Sequence, residues 1–491
     1  MKPFVLAMDV GTSSFKAVVY AVDGRIFASE SSSYEYASPQ AGWAEASPQD
    51  WQQAMEECLT RLSKIPDLLQ QIEVIAFTGQ MHTAVLLDAD QQPLEPTILW
   101  LDRRAAFETS ELQSVFQMPP YQLNSTYTLP KLYWMSKHLP DVIHKVRHLL
   151  WPKDYLRFLV TGEIFTDITE PGGAALLNWE TLDWAKERLV FIGLNPEILP
   201  PILQPEDEAG SLLPHVAERF NINPQAKVIA GAGDVLALIS SAPPAKGRLN
   251  CSLGSSSMIF CPLEPHESVV DPQSRIYTYP LLRVPMLGGV SSTTGAALQW
   301  AWKNLYPGVS FESAIVEALD VPAGSDGVYF LPFLSGERSP FWNDQLRGSF
   351  HGLSLAHSRA NLLRAVMEGV GLSLSYMIQI FHELGVGIHE IALAGGGTKT
   401  PGWAQMIADI CQIPVCVYSG QETVTHALFA YACLAKQGGR SFEQALLDTF
   451  DKPDWLYPDT KTASIYQKLY THYKAQAEFN QELFKTNYAV L

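Results

Sequence analysis

Charge is scarce in this chain of 491 residues: only 17% of positions are Asp, Glu, Lys or Arg, and the 34 basic residues are outnumbered by 51 acidic ones, for a formal net charge of -17. A field of that sign repels polyanions and leaves no broad basic surface for nucleic acid. Long apolar runs are also missing. No stretch approaches the roughly 20 residues that a membrane span needs, and the opening Phe4–Met8 segment reaches Asp9 too soon for a signal peptide. A cytoplasmic protein with neither nucleic-acid nor membrane partners is therefore expected. Cysteine is sparse and scattered (Cys58, Cys251, Cys261, Cys411, Cys416, Cys433), without a C-x-x-C pair or histidines at zinc spacing, which points to free thiols packed in the interior. The chain also lacks a G-x-x-x-x-G-K-[ST] loop and a G-x-G-x-x-G after a strand, which removes the usual P-loop and dinucleotide readings.

What is present is a folding composition, 47% apolar, in a chain long enough for more than one domain. Phe4–Val10, a Gly11-Thr12-Ser13-Ser14 turn, Phe15–Val22, an Asp23-Gly24 turn and Arg25–Ser31 read as a β-meander. A helix is predicted from a Ser47-Pro48-Gln49-Asp50 cap, followed by a strand at Ile72–Thr78. The same grammar returns at Arg248–Leu253, Gly254-Ser255-Ser256-Ser257 and Met258–Pro262. A long helix over Arg359–Leu384 and a strand running into Gly395-Gly396-Gly397 follow it. Strands alternating with helices imply an α/β layer architecture. A repeat of roughly 240 residues is far too long for a solenoid and predicts two domains that face one another across a cleft. The Ala242-Pro243-Pro244-Ala245-Lys246-Gly247 connector places the boundary near Pro244, giving domains 1–244 and 245–491, the second with a helical tail at Ser464–Phe484.

Hairpin tips made of small hydroxyl residues can wrap phosphate with backbone N–H groups, and Asp9, just before the first tip, could hold a metal-bound water. A plain turn is the simpler reading of either tip alone. Asp234, in Gly231-Ala232-Gly233-Asp234 after the short apolar strand Val228–Ala230, emerges where α/β sheets bind ligands. There it could orient and deprotonate a hydroxyl; a helix cap is the local alternative.

Five motifs stand in the order seen in the FGGY carbohydrate kinases: Asp9 to Lys16, Gly79-Gln80-Met81-His82, Gly231 to Asp234, Leu253 to Ser256, and Gly395 to Lys399. The chain resembles that family over about residues 4 to 450. Gly348-Ser349-Phe350-His351-Gly352-Leu353 with Asn361 to Glu368 satisfies the family's C-terminal signature. The N-terminal signature is met at Thr128, Lys131, Leu132, Trp134, Met135, Lys137 and His138 and departs from it at Thr126. The resemblance implies two actin-like (ribonuclease H-like, ASKHA) domains with a central cleft, and transfer of the γ-phosphoryl group of ATP, with Mg²⁺, to a terminal sugar hydroxyl. It also implies roles: Asp234 as general base, Asp9 on Mg²⁺ through water, and Gln80, Met81, His82 and Asp102 around the sugar. Thr12, Ser13, Ser14, Lys16, Ser255, Gly295, Gln299, Gly396 and Gly397 would face the nucleotide. Taken alone, His82 is more simply a packed or capping histidine.

Gln80-Met81-His82 is similar to xylulokinases and gluconokinases, whereas glycerol kinases carry Arg-Glu at the last two of these positions. Pro152 to Arg157 with Thr166-Asp167 looks like xylulokinase, and Ser335 to Asn343 looks as much like gluconokinase. D-Xylulose is the leading substrate, gluconate or another pentulose or polyol the alternative, and a non-catalytic sensor on the same fold the rival from another class. Val235 stands where xylulokinases usually carry Asn, Pro401 where glycerol kinases place an adenine-side Asn, and Ala427 where the family favours Gly. A homodimer is also suggested by the resemblance.

Overall fold

The computed structural model describes residues 4–40, 42–240, 242–264, 267–418, 423–436 and 441–484. The chain divides into two compact units: Met1–Ser240 with Glu422–Thr449, and Ser241–Gln421 with Phe450–Leu491. The division thus differs from a single cut near Pro244. The helix Thr423–Ala435 returns to the first unit, where the Tyr20 hydroxyl meets Thr425 Oγ1 at 2.7 Å and the Ala427 N–H donates to Ser240 Oγ at 3.1 Å. Ala427 is fully buried in this helix, so the small side chain at that position serves packing.

The first unit is built on six strands, β1 (Phe4–Val10), β2 (Ser14–Ala21), β3 (Ile26–Ser33), β4 (Ile72–Gly79), β5 (Glu208–Ser211) and β6 (Lys227–Ile229), in the order β5-β6-β4-β1-β2-β3. β1, apolar except at Asp9, is central and covered on both faces, whereas β3 turns Ser29, Ser31 and Ser33 to solvent as an edge strand does. The helix Pro48–Leu62 covers the sheet with Trp51, Met55, Cys58, Leu59 and Leu62, as its periodicity predicts. Its expected cap differs in detail: the Ser47 carbonyl accepts the Asp50 N–H at 3.1 Å, but its side chain makes no bond to the helix N–H groups, and the hydroxyl donates to Gln49 Oε1 at 2.6 Å instead.

The second unit has seven strands, β7 (Arg248–Ser252), β8 (Ser257–Pro262), β9 (Tyr277–Tyr279), β10 (Met286–Ser291), β11 (Glu390–Ala394), β12 (Val415–Val417) and β13 (Asp454–Leu456), in the order β9-β10-β8-β7-β11-β12-β13. Five strands of each sheet correspond one to one. β3-β2-β1 and β10-β8-β7 are antiparallel, and β1-β4-β6 and β7-β11-β12 are parallel. The match extends to single hydrogen bonds: Gln80 N–H donates to Val10 O at 2.9 Å after β4, and Gly397 N–H donates to Leu253 O at 2.8 Å after β11. The duplicated, actin-like α/β architecture expected from the sequence is what the chain adopts.

The long helix Arg359–Glu383 begins with a capping box between Ser358 and Asn361 and is buried along most of its length. Within it, signature residue Glu368 accepts from Gly324 N (2.9 Å), Ser325 Oγ (2.9 Å), Arg364 Nε (2.8 Å) and Tyr466 Oη (3.0 Å). Tyr466 belongs to the tail helix Ala463–Leu483, so this carboxylate fastens the tail to the second unit and makes the signature architectural at this point. Of the tail region 437–491, residues 437–440 and 485–491 lie outside the described part. None of the six cysteines forms a disulfide, four of them are buried, and burial pushes the Cys58, Cys261 and Cys416 thiols up to about 11. Among the described residues no helix is long and apolar enough to cross a membrane.

Candidate active site

In the first unit, three chain segments converge at the C-terminal ends of the parallel strands β1, β4 and β6, where a sheet of this kind presents its ligand residues. Asp9 is the penultimate residue of β1, directly beside Thr78 of β4 and Lys16 of β2. The Gly11-to-Ser14 tip is closed by Gly11 N–H donating to Ser14 O at 3.0 Å, with Ser13 exposed and Thr12, Ser14 and Lys16 half-buried. Three side chains brace this tip. Tyr34 Oη (2.7 Å) and Gln80 Nε2 (3.0 Å) both donate to Gly11 O, and Trp100 Nε1 donates to Thr12 Oγ1 at 2.9 Å.

Asp234 opens a 3₁₀ turn, Asp234–Leu236, a few residues beyond β6. Burial raises its pKa from 3.8 to about 7, the Asp9 charge adds to the rise, and a hydrogen bond from the Met81 N–H partly opposes it. A carboxylate poised near neutrality can take a proton from a hydroxyl. The loop that carries it is pinned at both ends, by Arg157 Nη1 donating to Ala230 O at 2.8 Å and by Gly233 N–H donating to Thr169 Oγ1 at 2.9 Å. Gly231 lies in the left-handed region (φ +68°) with its hydrogen facing the Phe77 carbonyl, where a Cβ would overlap backbone.

Behind the loop is a wholly buried charge cluster. Lys153 Nζ lies 2.5 Å from Asp154 Oδ1 and 2.6 Å from Asp167 Oδ2, and Arg157 Nη1 donates to Asp154 Oδ1 at 2.8 Å. Burial opposes the charge on Lys153, but its carboxylate neighbours outweigh that and hold the ammonium above its ordinary range. Asp167 Oδ1 accepts from the Thr169 hydroxyl at 2.5 Å, which carries the cluster's order to the Gly233 N–H and so to Asp234. Burial pushes the neighbouring Glu170 well above the carboxylate range, against the pull of Lys153.

Met81 and His82 lie beside this loop. Met81 packs over Gly173 and Gly233, and a Cβ at Gly173 would come within 2.5 Å of its Cε. His82 has a left-handed backbone (φ 67°), its Nδ1 is bonded to Gly173 O, and its ring lies 4.7 Å from that of Tyr127. A carbonyl only accepts, so Nδ1 carries the proton and Nε2 is the acceptor of the neutral ring. Signature residue Lys131 is buried beneath, donating to Thr126 O at 2.5 Å and His82 O at 3.4 Å, and burial drives its pKa well down.

Two of the sugar-side expectations sit differently. The Gln80 amide is engaged with Gly11 O and with Thr83 Oγ1, which donates to Gln80 Oε1 at 3.3 Å, so its side chain braces the hairpin. Asp102 is fully buried and accepts from Ala44 N (2.6 Å), Arg104 N (2.8 Å) and the Arg104 guanidinium (2.8–3.0 Å), while Arg104 stacks 3.6 Å from the Trp43 ring. Trp100, Tyr34, Thr169 and Gly173 are participants that sequence reasoning did not single out. Only their positions in space reveal them, because each acts through a neighbour distant in sequence.

In the second unit, Ser255 is exposed at the β7–β8 tip, and the helix Gly295–Leu305 starts against it: Gly295 N–H donates to Gly254 O at 2.8 Å and Ala296 N–H to Ser255 O at 3.2 Å. A Cβ on Gly295 would come within 2.6 Å of Gly254 O. Gly396 borders open space, whereas Gly397 lies against Leu253. Gln299 is exposed one turn into the helix. Ser255, Gly295, Gly396 and Gly397 therefore gather at one hairpin tip.

Comparison with known proteins agrees with these observations. The N-terminal domain of the FGGY family of carbohydrate kinases matches residues 4–239 and the C-terminal domain matches residues 249–432. The xylulose kinase of Bacillus subtilis (strain 168) is 31% identical, over 96% of this chain and 96% of its own. Two solved structures from Lactobacillus acidophilus, a ligand-bound xylulose kinase (27% identical) and a gluconate kinase (26% identical), each superpose with a TM-score of 0.90 over 99% of both chains. With its two duplicated sheets, its small-residue hairpin tips and a poised carboxyl at the strand ends, the chain belongs to the FGGY family of carbohydrate kinases and is a sugar kinase.

Proposed function

We propose that this kinase transfers the γ-phosphoryl group of ATP to a terminal hydroxyl of D-xylulose, with Asp234 as the general base. The observation that carries the reading is the Asp234 carboxyl, held near neutrality by burial and by Asp9 on a loop fixed by Arg157 and Thr169. Phosphoryl transfer asks little covalent work of the protein beyond orienting the nucleophile and stabilising charge. Asp234 would orient the sugar hydroxyl and accept its proton. His82 Nε2 and the Met81 side chain would line the sugar. Asp102 would act through Arg104 and the Ala44 backbone, and Gln80 through the hairpin. On the nucleotide, Thr12, Ser13, Ser14, Lys16 and Ser255 would meet phosphates, and Gly295, Gln299, Gly396 and Gly397 would leave room for phosphate and adenosine.

Mg²⁺ fits the donor set. Asp9 and Asp234 are hard carboxylates close enough for one to raise the pKa of the other, and no cluster of three or more ligating side chains exists among the described residues. Mg²⁺ commonly takes one or two carboxylates and completes its shell with water and substrate phosphates. When bound it would supply charge neutralisation at the phosphates, with Asp9 holding it through water. A cytoplasmic protein acting on a free sugar without a nucleic-acid partner, as a monomer or homodimer, is consistent with this reading.

Xylulose leads because the full-length xylulose kinase relative covers 96% of this chain, and gluconate is second because the gluconate kinase structure superposes equally well. Val235, apolar beside the base, offers no hydrogen bond to a sugar hydroxyl. ADP release with Mg-ATP across D-xylulose, L-xylulose, D-ribulose, L-ribulose, gluconate, glycerol and water tests the assignment. High turnover with D-xylulose is expected. A preference for gluconate would replace the substrate, and a bare water rate with every sugar despite ATP binding would favour the sensor reading.

A further inference from the structure

Trp100 closes a ring of hydrogen bonds in the first unit. Its backbone N–H donates to Thr83 Oγ1 at 3.1 Å, Thr83 Oγ1 donates to Gln80 Oε1 at 3.3 Å, and Gln80 Nε2 donates to Gly11 O at 3.0 Å. The indole Nε1–H returns to the same hairpin tip at Thr12 Oγ1, 2.9 Å away. The direction of this last bond is not open to choice, because an indole nitrogen can only donate. The Thr12 hydroxyl is therefore the acceptor. A hydroxyl has one hydrogen and two lone pairs, so once the indole occupies a lone pair the hydrogen must point elsewhere. Among the described residues Thr12 makes no second side-chain hydrogen bond, and it sits half-buried at a tip whose next residue, Ser13, is exposed.

We infer that Trp100 is a positioning residue for phosphoryl transfer: its indole N–H orients the Thr12 hydroxyl as a donor toward an anionic oxygen at the hairpin tip, a terminal phosphate oxygen of the nucleotide. Without the indole the hydroxyl rotates freely and can present a lone pair to the phosphate, which repels it. With the indole in place the hydroxyl is pre-oriented before ATP arrives. The inference rests on the kinase reading only in that Thr12 faces the nucleotide.

The test uses the full-length protein with Trp100→Phe, which keeps an aromatic ring and removes the N–H, together with Thr12→Val, Thr12→Ser and the Trp100→Phe/Thr12→Val double variant. Steady-state rates are measured with Mg-ATP varied at saturating sugar and with sugar varied at saturating Mg-ATP, and Mg-ATP binding is measured by calorimetry. Loss of one hydrogen bond to a charged group predicts a fall of about 10-fold in kcat/KM for ATP in Trp100→Phe, with the sugar KM changed less than about twofold. Thr12→Val should lose as much, Thr12→Ser should recover most of that loss, and the double variant should be no worse than Thr12→Val. A raised sugar KM with unchanged ATP parameters would overturn the inference, since the ring would then be a wall for the sugar, and so would losses that multiply in the double variant. Should Trp100→Phe fail to fold, the contrast between Thr12→Ser and Thr12→Val in Mg-ATP affinity decides, and equal affinities would refute it. If the wild-type protein phosphorylates no sugar, the kinase reading falls separately, while Mg-ATP binding still tests the orientation of Thr12.

Discussion

Replacing the proposed base should make the protein more stable, and the gain should depend on pH in a defined direction. The Asp234 pKa is raised from 3.8 to about 7, first by burial and then by the negative charge of Asp9. Between those values the native state holds a proton that the unfolded chain has released. The native state therefore binds more protons than the unfolded state, and stability falls as pH rises through this window. By pH 8 the carboxylate is ionised in a site that resists ionisation, at a cost of about 4 kcal/mol from the shift itself. Partial solvent access to the side chain lowers the effective figure to about 2–4 kcal/mol. Asn at this position keeps the shape and can accept the Met81 N–H, yet never ionises. Asp234→Asn should therefore melt at a higher temperature than wild type at pH 8, by about 2–4 °C for each kcal/mol. The advantage should shrink steadily toward pH 4, where both side chains are neutral. Calorimetric scans of the two proteins in parallel from pH 4.5 to 8.5 give the difference, which is more secure than absolute stabilities in a chain of two units. A difference that does not vary with pH, or a variant less stable than wild type at pH 8, would refute the argument.

His82→Ala should change sugar KM or sugar preference while leaving the ATP KM near its wild-type value, and an unchanged substrate profile would remove His82 from the sugar site. Gly233→Ala drives a methyl into the Met81 side chain and toward Glu170. Displacing that side chain by about 1 Å predicts a loss of about 10²-fold in kcat/KM for the sugar, with the fold retained by circular dichroism. Arg157→Met leaves Lys153 as the one cation facing Asp154 and Asp167 in the buried cluster and frees the Ala230 carbonyl, predicting a destabilisation of about 3–5 kcal/mol that denaturant unfolding would read; a loss under 1 kcal/mol would mean the cluster bears little of the loop's order.

Strands β1, β2, β4, β6, β7, β8 and β11 were readable because each is a short apolar run ended by a turn, and the duplication was readable because the same grammar occurs twice; β5, β9, β10, β12 and β13 went unread, being three or four residues long or, in β10, interrupted by Gly288-Gly289. Position at strand ends was readable for the same reason: Asp9, Asp234 and both hairpin tips stand where this topology presents ligand residues. The helix Thr423–Ala435 could not be assigned to the first unit from its sequence, because the partners that place it there, Tyr20 and Ser240 among them, lie far away along the chain. Gln80 and Asp102 show a related limit. Residue type and motif mark them as important, but whether a side chain faces a ligand or holds up a neighbour depends on partners far away in sequence, here Gly11 and Ala44. The Lys153–Asp154–Arg157 run was visible as a motif, while its support of the Asp234 loop through Asp167 and Thr169 exists only in three dimensions.

The central claim, that Asp234 is the base of a sugar kinase, is tested most directly by the turnover of Asp234→Asn with Mg-ATP and the best sugar of the panel, measured beside its Mg-ATP affinity. The account predicts a fall of about 10²–10⁴-fold in kcat with nucleotide affinity within about twofold of wild type. Undiminished turnover in that variant would contradict it.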